Sequence, residues 1–517
     1  MRFLRRNVLW VYAVYAGALL SGLVVPPILL HTLGSTELGI WLFIGSLTGY
    51  LRVLDLGVGP SIVRFGAKHR GERDEEATNA LLSVGLVVYA LIGAATIVLG
   101  VVLAYLVPEL VDVPPDLVWT ARAAGLVVVA TIAVDFLIGI FSDLLGAQQR
   151  YDVINVCGLV SIVLYVVLIA TVLRHTGGLV LLAAIVFVTT VVRLALPLLW
   201  VPRELPFLRP SRRYVTRERV RGLLGFSWHN FLIHVAARAA YGTDLVVVGI
   251  VLGSTAAAVY GLPSKLFAMG FGLATAAPAL IYPAVAEAEG ARDRARQRHY
   301  LRGGLRVGMS LMLLVALPLV LIPHDCLVAW GIGSGTNRLD AHQLHEASLV
   351  LALLGVALVL SQPLDVAGKF LVARGRPAPM ARILLASVAL NVVVSVALAE
   401  TVGVWGVAVG TIAGQVGALL VVPVLVSRAS EIPVRALAVS ALRPVLPAVV
   451  TALLLFGVVQ RWHPDTKTEL LPVAVTWLAA GAIAIWFLGL DGSDRAAIRR
   501  NAGRRKPADP ALAEPIV

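Results

Sequence analysis

Ser227, Asn230, His234, Arg238 and Tyr241 recur at three- and four-residue intervals, the spacing that aligns side chains on one face of a helix. The residues around them are mostly apolar, so the stripe sets several hydrogen-bonding groups and a permanent positive charge inside a hydrophobic segment. Arg238 stands near the middle of that segment, where a charge costs roughly 3 kcal/mol on an insertion scale and must face a cavity or a partner. Such a stripe suits binding of an anion, by charge and by several directed donors. Three readings are open: Arg238 holds an anionic group of a substrate, it pairs with a carboxylate elsewhere, or the stripe is a sealed packing seam. Five polar members exceed what one ion pair needs, which favours an aqueous cavity.

Other charges lie within apolar segments. Arg52 and Asp55 are three residues apart and able to neutralise each other on one helix face. Asp135 and Arg193 read as a structural pair between helices. Lys265 is deep enough to face a cavity, whereas Arg64 and Lys369 lie near cytoplasmic ends and read as snorkelling side chains. Asp244 and Asp365 are two carboxylates of one half of the chain; they either hold Na⁺ or relay a proton, or they balance Arg238 and Lys265. The sequence contains no nucleotide-binding loop, metal-ligand spacing or nucleophile elbow, so no bound cofactor is expected and ATP is not expected to drive it. An ion gradient, in Na⁺ or H⁺, or the downhill fate of the product is the remaining source of energy. Cys157 and Cys326 fall at different depths and read as small buried side chains, not as a disulfide.

The elements that position these groups are membrane helices. The 517 residues are 59% hydrophobic and 14% charged, with mean hydropathy +0.88. Apolar runs of about 20 residues, the length a bilayer core demands, recur fourteen times between residues 8 and 490. Backbone groups must be satisfied inside lipid, so these runs are helices and the fold class is an all-α polytopic membrane protein. The net charge of +13 comes from Lys and Arg concentrated in alternate loops, which places both termini in the cytoplasm and removes the case for nucleic acid. The first apolar run follows Arg2, Arg5 and Arg6 but is long, contains Pro26-Pro27 and lacks a small-residue cleavage site, so it reads as a retained helix.

The chain is duplicated. Leu33-Gly34-Ser35-Thr36 recurs as Leu252-Gly253-Ser254-Thr255, and residues 145–199 align without gaps on 371–425, with Arg150, Gly177 and Pro197 falling on Arg376, Gly403 and Pro423. The repeat unit is six helices, so the halves share one orientation and relate by an axis along the membrane normal. The expected organisation is an N-lobe at 1–200, a basic cytoplasmic linker at 201–222 whose arginines meet anionic headgroups, a C-lobe at 223–427, two appended helices at 437–490 and a basic tail at 491–517. Gly57, Gly59 and Pro60 in the second span, Pro263, Pro278 and Pro283 in the eighth and Pro363 in the tenth read either as bending points or as residues ordinary in membrane helices. Gly403, Gly406, Gly410, Gly414 and Gly417 share a face suited to close helix packing.

The stretch Leu33-Gly34-Ser35-Thr36-Glu37-Leu38-Gly39-Ile40-Trp41, followed by Tyr50-Leu51-Arg52-Val53-Leu54-Asp55-Leu56-Gly57, resembles the polysaccharide-unit (Wzx-type) flippases, in the superfamily shared with lipid II flippases and MATE transporters. The resemblance implies two six-helix lobes in a V and a cationic central cavity that receives a lipid-linked pyrophosphoryl sugar. Arg52, Arg238 and Lys265 suit the pyrophosphate by depth and sign, and His234, Asn230 and Tyr241 suit phosphate or sugar hydroxyls. It further implies the bacterial inner membrane as location, an undecaprenyl-pyrophosphate-linked oligosaccharide and membrane lipids as partners, and polymerases and glycosyltransferases of the same pathway nearby. Two departures stand out. Lipid II flippases carry Arg-x-Pro-Asn where this chain has Gly45-Ser46-Leu47-Thr48, and no acidic residue occurs in 8–30, where cation-exporting MATE members often have one. Asp244 and Asp365 resemble the acidic cation site of some MATE members.

Two rival functions make different demands. A drug or metabolite antiporter calls for an acidic or apolar cavity, and the stripe here is basic. A membrane polymerase or glycosyltransferase calls for a substantial outer loop with catalytic acids or His; the longest, about 324–345, holds His324, Asp325, Asp340, His342 and His345 and is small for an active site.

Overall fold

The structure is a computed structural model whose described residues are 2–276, 278, 281–333, 339–462, 467–492 and 495; within these, side chains at 2–9, 224–241, 276, 283, 377, 455, 458–460, 462, 467–471 and 473–474 lie outside the description. Helices make up nearly all of it: α1 (Arg2–Thr48), α2 (Val58–Glu72), α3 (Glu75–Leu110), α4 (Val118–Ala147), α5 (Tyr151–Leu168), α6 (Leu179–Leu198), α7 (Arg217–Ala276), α8 (Ile281–Gly290), α9 (Arg294–Leu321), α10 (Ala341–Ala373), α11 (Pro377–Val402), α12 (Val404–Ser430), α13 (Val434–Leu442), α14 (Val445–Trp462) and α15 (Lys467–Ala484), with shorter turns between them. Among the described residues, 11 helical runs are long and apolar enough to cross a membrane. The first of these, Trp10–Glu72, holds more than one expected span, since α1 bends at Gly34 and a 3₁₀ turn, Leu51–Asp55, separates it from α2.

The breaks sit at particular residues. Gly34 (φ 75°, ψ 176°) and Gly253 (φ 85°, ψ −177°) bend α1 and α7 with the same backbone conformation, one that residues with a Cβ avoid. The repeated tetrapeptide is thus a repeated hinge between consecutive spans. Leu56 and Gly57, both at positive φ, end the 3₁₀ turn and start α2. Pro263 and Pro363, by contrast, lie inside continuous helices.

Equivalent residues of the two copies meet. The Thr36 and Thr255 hydroxyls, 219 residues apart, are within 3.4 Å. One turn on, a Cβ added at Gly39 would stand 1.7 Å from the Ser254 carbonyl oxygen and 3.2 Å from the Ala258 nitrogen. A further turn on, Leu42 packs against Gly261. Thr36, Gly39 and Leu42 correspond in register to Thr255, Ala258 and Gly261. Self-equivalent contacts at three successive levels of two parallel helices are what a pseudo-twofold axis along the helices produces. Lipid tails are as apolar as the helix surfaces, so association here rests on van der Waals contact, and small residues supply the close approach.

Two compact units organise the packing: residues 1–269, 323–354 and 381–417 form one, and 270–322, 355–380 and 418–517 the other. In the first, Ile62, Leu82, Val84, Ile132, Ile140 and Leu144 of α2–α4 make a core that also takes in Leu205, Phe207 and Leu208 of the linker. The linker is clamped to α3. The Asn79 side chain donates to the Phe207 carbonyl at 3.2 Å and accepts from the Arg209 backbone N–H, and Ser83 Oγ accepts from the Ser211 backbone N–H at 3.0 Å. In the second unit, Met309, Leu313 and Leu317 of α9 pack on Ala441, Ala448, Ala452 and Trp477 of the appended helices. The glycine face of α12 packs on α11, with Gly410 against Ser395 and Asn391 and Gly414 against Ser387. Large apolar side chains such as Leu91, Val98, Leu420 and Leu446 are exposed, as a lipid-facing surface requires.

Candidate functional site

Asp135, in the middle of α4, lies between two arginines of the first unit. Arg52 donates from Nη1 to Asp135 Oδ2 and Arg193 from Nη2 to Oδ1, each at 2.7 Å. The Asp135 side chain is 18% exposed, while those of Arg52 and Arg193 are 55% and 41% exposed. The expected pairing of Arg193 with Asp135 is present. The expected pairing of Arg52 with Asp55 is not: Arg52 reaches α4, and Asp55 accepts instead from the Tyr89 hydroxyl of α3 at 2.8 Å. The cause is local. The left-handed Leu56 and Gly57 end the turn directly after Asp55, and the absence of a side chain at Gly59 leaves space that Asp143 and Tyr89 occupy, 3.2 and 3.3 Å from where a Cβ would be. Tyr89 is held by stacking on Phe136. Asp55, Tyr89 and Asp143 therefore form a polar layer beside the Arg52–Asp135–Arg193 group.

The lower part of α1 and the adjoining turn also fix α7. Ser46 donates to the Gly242 carbonyl at 2.8 Å, and the Tyr50 and Thr243 hydroxyls are 2.9 Å apart. Arg238 is one helical turn before Gly242, which sets the stripe-bearing segment of α7 next to this contact. The side chains of Ser227, Asn230, His234, Arg238 and Tyr241 lie outside the described residues. Lys265 is an exposed residue further along α7.

The two carboxylates singled out for an ion belong to different units. Asp244 accepts three hydrogen bonds: from Tyr260 Oη at 2.8 Å, Asn391 Nδ2 at 3.0 Å and Thr411 Oγ1 at 2.7 Å. Asn391 is itself oriented by the Ser395 hydroxyl, which donates to its Oδ1 at 2.7 Å. Asp365 instead forms an ion pair with Lys369, one turn away on α10, at 2.5 Å. Lys369 therefore turns back to a carboxylate and does not act as a snorkelling side chain, because an internal counter-ion is within its reach.

Sequence reasoning missed the partners of Asp244. Part of the signal was available: Ser387, Asn391 and Ser395 form a polar stripe at four-residue spacing in the otherwise apolar α11. Thr411 and Tyr260 reach Asp244 only through the fold. Also missed was a second repeat, Gly71-x-Arg73-Asp74 and Gly290-x-Arg292-Asp293. Each Arg has φ 54° and each Asp caps the following helix, accepting from Ala77 N at 2.8 Å and Arg296 N at 2.9 Å.

Comparison with known proteins agrees with this architecture. No curated protein matches the chain. The MatE family matches residues 239–397. Among solved structures, lipid II flippase MurJ in an inward closed conformation shares 14% identity over 93% of this chain and 98% of its own, with a TM-score of 0.74. A multidrug resistance MATE family transporter of the MOP superfamily, in an inward-facing conformation, shares 16% identity over 81% of this chain and 95% of its own, with a TM-score of 0.66. At these identities the likeness is one of fold. The family described as polysaccharide biosynthesis protein matches residues 4–289, more than half of the chain. The protein is a multi-pass membrane protein that belongs to the polysaccharide biosynthesis protein family.

Proposed function

We propose that the protein is a flippase that carries an undecaprenyl-pyrophosphate-linked oligosaccharide from the cytoplasmic to the outer leaflet of the bacterial inner membrane. Family membership supports a role in polysaccharide biosynthesis, and one observation supports the anionic substrate: two partly exposed arginines, Arg52 and Arg193, share the single carboxylate of Asp135 within the span region. A guanidinium that is 55% exposed at that depth faces water and not lipid, and a guanidinium bound to one carboxylate oxygen keeps further donors for a phosphate. Arg238 and Lys265 of α7 add positive charge, and His234, Asn230 and Tyr241 contact phosphate or sugar hydroxyls. Polymerases and glycosyltransferases of the same pathway are the proposed partners, and both termini are placed in the cytoplasm. In proteoliposomes containing a labelled lipid-linked oligosaccharide, Arg52→Ala and Arg238→Ala are each expected to lower the translocation rate about 10-fold or more, the loss of one charge-assisted contact. Full-rate translocation by both variants at wild-type abundance overturns the anionic-substrate reading.

The MatE match over 239–397 favours a second element, ion coupling, because that segment contains Asp244 and Asn391. Of the two carboxylates first considered, Asp244 is the better binder for Na⁺ or H⁺, since Asp365 is already neutralised by Lys369. A MATE-like drug or metabolite antiporter shares that feature but not the need for paired arginines.

A further inference from the structure

Arg122 lies in the second turn of α4, at the end of the first unit that also carries the Gly34 hinge, and it has no counter-ion among the described residues. Its guanidinium is flanked by two aromatic rings, 5.2 Å from the Tyr105 centroid and 5.5 Å from that of Trp119. Its Nε is buried and makes no hydrogen bond. The carboxylates of this end, Glu37, Glu109, Asp112 and Asp116, form no ion pair with it among the described residues. Trp119 is 72% exposed and Tyr105 46%, so the box opens outward. Beside it on α3 runs an exposed apolar strip, Val98, Val102 and Leu106, that faces the acyl region.

Tyr105 is five residues from the C-terminal end of α3 and Arg122 four from the N-terminal end of α4, about 6–8 Å inside the helix ends at 1.5 Å per residue. That is interfacial depth, where aromatic rings settle and an arginine reaches the headgroups. The scaffold does not require the box. In the register of the repeats, Tyr105 falls on His324, Trp119 on His345 and Arg122 on Ser348, and Ser348 donates only to its own helix, to the Leu344 carbonyl at 2.7 Å.

We infer that Tyr105, Trp119 and Arg122 form a binding site for the phosphodiester headgroup of an anionic phospholipid of the surrounding leaflet. The charge selects an anion. The rings hold the guanidinium plane so that its remaining donors point at the phosphate. The apolar strip takes an acyl chain, which favours a lipid over free phosphate. The site is separate from the proposed translocation site and does not depend on that reading.

Native mass spectrometry of the detergent-solubilised full chain, titrated with phosphatidylglycerol, tests it. The wild-type protein is expected to retain one phosphatidylglycerol that Arg122→Gln binds about 10-fold more weakly, with phosphatidylcholine weaker than phosphatidylglycerol on the wild type. Arg122→Lys, which keeps the charge and loses the planar stacking, is expected to bind several-fold more weakly than wild type. Arg122 has no ionic partner among the described residues, so Arg122→Gln is expected to melt at the wild-type temperature in lipid-free detergent. If it does not, Trp119→Ala replaces it, with the same expected loss. Unchanged phosphatidylglycerol retention in the variants overturns the site. Displacement of the bound lipid by equimolar undecaprenyl phosphate overturns the choice of occupant and assigns the box to the isoprenoid lipid.

Discussion

At the residue scale, environment decides what each titratable group can do. Cys326 shows this outside the spans: burial, with Asp325 beside it, pushes its thiol up to about 12. The thiolate is the reactive form, so at pH 8 only about one thiol in 10⁴ is nucleophilic. Cys326 is therefore expected to resist maleimide in the folded protein from pH 7 to 9 and to react on denaturation. Rapid labelling of folded protein at pH 8, followed by mass spectrometry, would contradict that environment. Asp135 carries the same lesson in the site. Its type and depth were legible, and so was its bond to Arg193, because charges inside apolar runs are rare and must be met. The choice of Arg52 as second partner was not legible. It depends on the turn at Leu56 and Gly57 that points Asp55 towards Tyr89, and on the space left at Gly59.

At the element scale, glycine marks where helices touch. Gly39 and Gly45 are both in α1 and six residues apart, yet a methyl group at Gly39 would meet the Ser254 carbonyl oxygen at 1.7 Å, while one at Gly45 meets nothing within 4 Å. Gly39→Ala is expected to cost about 3 kcal/mol through overpacking, and Gly45→Ala to be neutral or to gain up to about 1 kcal/mol of helix propensity. Thermal unfolding in detergent separates the two; equal melting temperatures would contradict the close crossing of α1 and α7. The sequence disclosed this crossing only in part. The repeated Leu-Gly-Ser-Thr announced a duplication, but two copies of a motif say neither that they are hinges nor that they face each other. The polar stripe of α11 was readable by its spacing. Its target, Asp244, was not, because hydrogen bonds between residues 147 and 167 positions apart are set by tertiary packing.

At the scale of the whole molecule, the copies share their scaffold and differ in their charge. The arginine pair around Asp135 has one origin and the Asp244 cluster another, which separates a proposed substrate contact from a proposed ion contact. Asp244→Asn keeps the size of the side chain and the neighbouring Tyr260, Asn391 and Thr411, while removing the charge. In proteoliposomes the variant is expected to lose at least about 10-fold of any stimulation by an imposed Na⁺ or pH gradient, while translocation without a gradient persists. Gradient stimulation at the wild-type level would remove Asp244 from the coupling reading. Fold class and duplication followed from hydropathy and from the repeated motif, because the bilayer leaves the backbone few options. The linker did not. Its arginines carried no sign of the anchor found there, in which Asn79 and Ser83 bind its backbone to α3.

The turns at Arg73-Asp74 and Arg292-Asp293 share more than a motif. Arg73 N–H donates to the Arg70 carbonyl at 3.2 Å and Arg292 N–H to Glu289 at 3.0 Å; Asp74 N–H donates to His69 and Asp293 N–H to Ala288, both at 2.9 Å. The stops at Gln149 and Gly375 match in the same way, with Arg150 N–H bonded to Leu145 and Arg376 N–H to Leu371, again both at 2.9 Å. These connectors behave as standard fittings. They fix where each rod ends without reference to what it carries, so the side chains along one copy were able to diverge while the joints of both stayed interchangeable.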